Sequence, residues 1–172
     1  MREKHPFDIG AYEKRVKEGP CFLCELVAGT NPHHVIYEDQ SAIVFLSKYA
    51  SLYGYALVAP REHREQATGD FTLEEYLQLQ RLIYQVAEAI RQVVPTERLS
   101  ILTLGSHQGN RHVHWHVAPL PPGIPYEQQQ YAALDSSKGV LAIPDEEMAS
   151  LARSIRQAME RLSSSPMPSP SN

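Results

Sequence analysis

A net charge of −4 over 172 residues gives no basic footprint, which argues against duplex DNA or RNA as the main partner. The 42% hydrophobic and 21% charged content is that of one globular chain with a core of its own. No apolar run approaches the roughly 20 residues that span a bilayer, no signal-peptide core follows Met1, and both cysteines sit in one C-x-x-C pair, so the sequence predicts a cytoplasmic protein with no membrane association.

Residues 1–20 are polar, with a short helix expected around Tyr12 to Glu18 that Gly19-Pro20 ends. They read as an arm that lies on the domain or is partly mobile. Cys21-Phe-Leu-Cys24 opens a short apolar segment, closed by Gly29-Thr30-Asn31-Pro32. Alternating and apolar runs then predict strands at His34 to Glu38, Ala42 to Leu46 and Tyr55 to Ala59, the first two joined by a turn at Glu38-Asp39-Gln40. Pro60-Arg61-Glu62-His63 leads away from the third.

Thr72 with Glu75 forms a capping box for a long helix. Tyr76, Leu79, Ile83, Val86 and Ile90 recur at helical spacing, widened by Leu82, Ala87 and Val93, and Pro95 disfavours continuation past Val94. Leu99 to Leu104 reads as a strand and Gly105 to Arg111 as a loop.

In His112-Val-His-Trp-His-Val-Ala118, imidazoles alternate with apolar side chains. As a strand, this places His112, His114 and His116 on one face. Giving up core burial there needs a chemical reason, and imidazole titrates near neutrality, acts as a nucleophile and ligates zinc. The last two strands pair in an antiparallel sheet with the long helix on one face, an α+β arrangement.

After Pro119, the Pro-rich stretch to Pro125 is extended or turned, and Tyr126 to Tyr131 forms a helical turn. Pro144 with Asp145, Glu146 and Glu147 starts a C-terminal helix whose buried stripe is Met148, Leu151, Ile155, Met159 and Leu162. The predicted organisation is an arm at 1–20, a domain at 21–119, an extension with a helix at 120–162 and a disordered tail at 163–172.

The C-x-x-C pair fits a metal site, a redox pair or two reduced, buried thiols. A zinc site needs two further ligands, and His63, His112, His33 and His34 all compete for them on spacing.

The histidine motif resembles the signature of the histidine triad (HIT) superfamily. Cys21-Phe-Leu-Cys24, Val35-Ile-Tyr-Glu-Asp39, Ala42-Ile-Val-Phe-Leu46, Gly54-Tyr-Ala-Leu-Val-Ala-Pro60-Arg-Glu-His63 and Gln108 fall in that family's order. The resemblance covers roughly residues 20 to 119. It implies a HIT-like α+β fold, usually a homodimer sharing a central sheet. It also implies hydrolysis or transfer at the α-phosphate of purine nucleotide conjugates, such as nucleoside phosphoramidates or dinucleoside polyphosphates.

By the match, His114 is the nucleophile that forms a covalent nucleotidyl-imidazole, with His116 and Gln108 also at the reacting phosphate. Phe22, Leu23, Phe45, Ser47, Gln108, Gly109, His114 and His116 are the nucleotide-binding positions. Cys21, Cys24, His63 and His112 are implied as ligands of a structural zinc. The chain departs from the pattern at Ser47, where the family commonly has a ribose-binding Asp, at His107 for Gly, and at Gly109 for a hydroxyl residue. These departures support the alternative of a zinc-stabilised nucleotide-binding or interaction protein with little catalysis.

Overall fold

The computed structural model describes residues 2–132, 134 and 138–164. From the N-terminus its elements are β1 (Lys4–His5), α1 (Ile9–Glu18), α2 (Phe22–Val27), β2 (Val35–Glu38), β3 (Ala42–Leu46) and β4 (Ala56–Pro60). There follow α3 (Leu73–Val93), β5 (Arg98–Thr103), β6 (Trp115–Leu120), α4 (Tyr126–Gln129), β7 (Val140–Leu141) and α5 (Asp145–Ser164). Five antiparallel strands form the main sheet in the order β2-β3-β4-β6-β5, and β1 pairs with β7 in a separate two-stranded ribbon. The fold is α+β, as expected.

The β2–β3 hairpin closes on Asp39. One carboxylate oxygen accepts from the backbone N–H groups of Ser41 (2.7 Å) and Ala42 (2.8 Å) and from the Ser41 hydroxyl (2.8 Å). This is an Asx turn, which supplies the bend without glycine. β3 and β4 are buried along their whole length because both faces of the sheet are covered.

Alternation then sorts the side chains. Ile36, Val44, Leu46, Val58, Trp115 and Val117 face a layer made by α3 and α5. Ile43, Phe45, Leu57, Ala59 and Ala118 face the other way, toward Leu23 and Leu26 of α2.

α3 begins at the expected capping box: Glu75 N–H donates to Thr72 Oγ1 (3.2 Å), and Thr72 N–H donates to the Glu75 carboxylate (2.8 Å). It ends at Val94, before Pro95. The predicted stripe is buried, with Tyr76 and Val93 packed partly against it. α5 extends the same layer through Met148, Leu151, Ala152, Ile155, Ala158 and Met159. Its Arg156 donates to the carbonyls of Ile36 (2.8 Å) and Val35 (2.7 Å) on β2. Ser163 and Ser164 continue α5, and the rest of the expected tail lies outside the described residues.

The histidine strand starts later than its alternation predicts. The ladder begins at Trp115, which pairs with Val58 on one side and Thr103 on the other. His112, Val113 and His114 precede it. They leave the ladder because their backbone bonds go elsewhere. Val113 N–H donates to Arg64 O (2.7 Å), and Thr103 Oγ1 donates to His114 O (2.9 Å). The first histidines are thereby drawn toward the turn after β4.

The arm is more ordered than its composition suggests. Asp8 caps α1 by accepting from Ala11 N–H (2.9 Å), so the helix starts three residues before the predicted Tyr12. β1 holds the arm to the body through Lys4↔Leu141 and His5↔Val140.

Candidate active site and metal centre

Reading across the sheet, Phe45 is opposite Leu57, and Leu57 is opposite His116. These side chains share one face, and with them begins the wall of a cavity of about 410 Å³. The loops at the ends of the strands complete it with Phe22, Ser47, Lys48, Ser51, Tyr55, Asn110 and His114. Phe7, Ile9, Tyr12 and Arg15 of the arm form its cover. Phe7, Tyr12 and Tyr49 pack as a mutual aromatic cluster with centroids 5.2–5.5 Å apart, and Asn110 donates to the Tyr12 hydroxyl (2.8 Å).

Two imidazoles are fixed in defined tautomers inside this cavity. His114 Nδ1–H donates to the His112 carbonyl (2.8 Å), so Nε2 carries the lone pair. Burial lowers the pKa of His114, which keeps that lone pair unprotonated at neutral pH. His116 lies beside it, with ring centroids 4.9 Å apart. Its Nδ1 is 3.0 Å from the Tyr55 hydroxyl, while its buried Nε2 has no hydrogen-bond partner among the described residues. Burial, then the neighbouring His114, push His116 down to about 3, and burial pushes Tyr55 up to about 12. We assign the phenol as the donor to Nδ1, which puts the hydrogen of the neutral ring on Nε2. The pair presents an unprotonated nitrogen next to an unpartnered N–H donor, which suits attack on an electrophile with hydrogen-bond stabilisation of the charge that develops on it.

The other positions expected at a nucleotide fall in three places. Phe22, Phe45 and Ser47 line the cavity together with the two histidines. Leu23 is fully buried in the core between α2 and the sheet. Gln108 and Gly109 sit on the loop after β5 and line an adjoining cleft with Cys21, His63 and Arg111. Arg111 reaches Glu65 at 3.7 Å. Tyr55 escaped the motif-based reading, although period-two spacing from Leu57 places it on the His116 face. The arm residues carry no sequence signal for the cavity at all.

Cys21, Cys24, His63 and His112 converge so that their ligand atoms all lie within 4.8 Å of one another. Cys21 Sγ is 3.5 Å from His112 Nδ1, Cys24 Sγ is 3.3 Å from His63 Nδ1, and Cys24 Sγ is 3.8 Å from His112 Nδ1. Ligands 2.0–2.3 Å from a shared tetrahedral centre stand roughly this far apart. The distal nitrogens are held as a metal site requires: His112 Nε2–H donates to Pro60 O (2.9 Å), and His63 Nε2 meets Glu65 (3.2 Å). Burial and the neighbouring Cys21 push the Cys24 thiol up to about 11, so a cation beside it would favour its thiolate. The four residues fit a metal ion. The competing His33 and His34 lie elsewhere, His33 in the cavity wall and His34 against Asp145 (2.8 Å).

A HIT domain model matches residues 28–122. The adenosine 5'-monophosphoramidase of Schizosaccharomyces pombe is 29% identical over 104 residues, 59% of this chain and 74% of that protein. A hypothetical histidine triad nucleotide-binding protein from Sulfolobus tokodaii superposes with a TM-score of 0.67 at 24% identity, covering 83% of this chain and 93% of that one. A zinc-bound histidine triad family protein from Mycobacterium smegmatis superposes with a TM-score of 0.64 at 24% identity, covering 84% of this chain and 96% of that one. Both superpositions bear on the fold.

Proposed function

The chain belongs to the HIT family, and from that premise we propose that it binds a nucleotide conjugate and breaks the bond between the α-phosphorus and its leaving group. The observation that carries this reading is the 2.8 Å bond from His114 Nδ1–H to the His112 carbonyl, which leaves Nε2 as a lone pair in the cavity wall. Nε2 attacks the α-phosphorus, the bond to the leaving group breaks, and its electron pair departs with the leaving group. The leaving group takes its proton from solvent water, while the neutral His116 Nε2–H hydrogen-bonds the phosphate oxygens and stabilises the charge that builds there. Water then attacks the nucleotidyl-imidazole, the P–N bond breaks with its electron pair returning to His114 Nε2, and a nucleoside monophosphate leaves as the attacking water gives up a proton to solvent. A named adenosine monophosphoramidase among the relatives supports a phosphoramidate substrate.

In this reading Cys21, Cys24, His63 and His112 hold a structural zinc. Four protein ligands leave no open position, so the ion supplies folding energy and fixes the segment before β6, not a reactive water. Free thiols in that role suit a reducing compartment such as the cytoplasm. Among the described residues no helix is long and apolar enough to cross a membrane. We assign a homodimer to the outer edge of β5, which has no partner strand among the described residues and carries the exposed Ile101, with Leu104 just beyond.

The test is intact-protein mass spectrometry after brief mixing with adenosine phosphoramidate or diadenosine tetraphosphate, with acid-labile adducts preserved. The expected result is one AMP adduct that maps to His114 and is absent in His114→Asn. Nucleotide binding with neither adduct nor released AMP favours the binding-protein alternative, for which the uncharged Ser47 speaks.

A further inference from the structure

The cavity is positively charged in an acidic chain. Its lining contains Arg15 and Lys48 and no carboxylate, although the whole chain has 20 Asp and Glu against 16 Lys and Arg. Several other cations are matched with carboxylates: Arg2 with Glu147, Arg61 with Glu38, Arg64 with Glu62 and Glu75, Lys17 with Glu13. Among the described residues neither cavity cation forms such an ion pair. The Arg15 guanidinium instead lies over the rings of Tyr12 (5.1 Å) and Tyr49 (5.8 Å), which orients it and leaves its N–H groups available. Lys48 Nζ donates to Asn31 Oδ1 at 3.0 Å.

The two charges act on one place. His33 stands beside Phe22 and Phe45, with centroids 6.3 and 5.1 Å away. Burial lowers its pKa first, and the charges of Lys48 and Arg15 lower it further. Ser47, which precedes Lys48, also lines the wall and brings a hydroxyl without negative charge. An arginine fork, an ammonium, an amide and a hydroxyl around one space match the oxygens of a phosphate group. His114 and His116 already account for one phosphate, so this set is surplus to a simple monophosphate.

Resting on the nucleotide reading above, we propose that Arg15 and Lys48, with Asn31 and Ser47, form a second phosphate subsite, so that the favoured ligand is a nucleotide carrying a phosphate beyond the one presented to His114. That phosphate is either esterified to the ribose or the next one along the phosphate chain. Both sources present the same tetrahedral anion.

Calorimetric titration of the full chain with AMP, adenosine 3',5'-bisphosphate, adenosine 2',5'-bisphosphate and ADP tests this. At least one two-phosphate ligand is expected to bind about tenfold or more tightly than AMP, the gain of one charge-assisted contact. That preference shrinks toward parity in Arg15→Gln and in Lys48→Gln, and in the unmodified chain it weakens as salt rises. A bisphosphate preference locates the group on the ribose, and an ADP preference locates it on the phosphate chain. AMP bound with no preference in the unmodified chain, or a preference undiminished in both variants, overturns the subsite and leaves the nucleotide reading standing. No AMP binding at all overturns that reading, and the subsite with it.

Discussion

The phenol of Tyr55 meets Nδ1 of His116 at 3.0 Å, with the two rings edge to face at 89°. Tyr55 is buried and His116 partly so, and burial holds the phenol protonated, its pKa pushed up to about 12. This bond decides which nitrogen of His116 carries hydrogen, and so whether the cavity receives a donor or an acceptor. Tyr55 is a positioning residue.

Tyr55→Phe keeps the ring and removes the donor. Turnover of a nucleotide phosphoramidate is expected to fall by about tenfold to a hundredfold with KM little changed, a part of the range for a misaligned charge-stabilising donor. Folding stability should drop by about 1 kcal/mol for the lost buried bond. Tyr55→His, which restores an N–H donor, is expected to recover part of kcat. Steady-state kinetics beside urea melts separates the two effects, and an unchanged kcat in Tyr55→Phe would falsify the assignment.

Removal of the metal has a different signature. Chelation is expected to lower the Tm by well over 10 °C, since the binding energy of a structural ion is folding energy. It should deprotect amides of α2 and of residues 112–114 first, because the four ligands join these segments. Metal analysis should give one zinc per chain, and Cys24→Ser should reproduce the chelated state. A melting curve indifferent to strong chelation counts against the centre.

Acid stability follows from His116. Its pKa falls from 6.5 to about 3 on folding, burial being the main cause. A depressed folded value means that the unfolded chain binds the proton more tightly, so the contribution is complete above pH 6.5 and is lost as pH falls toward 3. Urea melts across that window should show stability declining with acid, and His116→Gln should reduce the slope. An identical slope in the variant removes His116 as the cause.

The parts of this molecule written in short-range patterns were readable from the chain. The Thr72–Glu75 capping box, the α3 stripe and the β3 run each depend on neighbours within a few positions. The four-residue metal cluster was readable only through family resemblance, since spacing gave His33 and His34 an equal claim that three-dimensional placement removes. The start of β6 was misread because alternation records which face a side chain takes, whereas leaving the ladder depends on Arg64 and Thr103, far away in sequence. The arm over the cavity was illegible for the same reason: Tyr12 meets Asn110 across 98 positions.

The sheet has two borders, and they are finished differently. On β2, Arg156 occupies the carbonyls of Val35 and Ile36, so no further strand docks there without displacing that guanidinium. On β5 no further strand pairs with the outer backbone among the described residues. Joining two copies through that border consumes the open side of each and leaves two sealed ones facing outward. Association by strand pairing is thereby self-limiting: it stops at a pair and cannot propagate into a fibre.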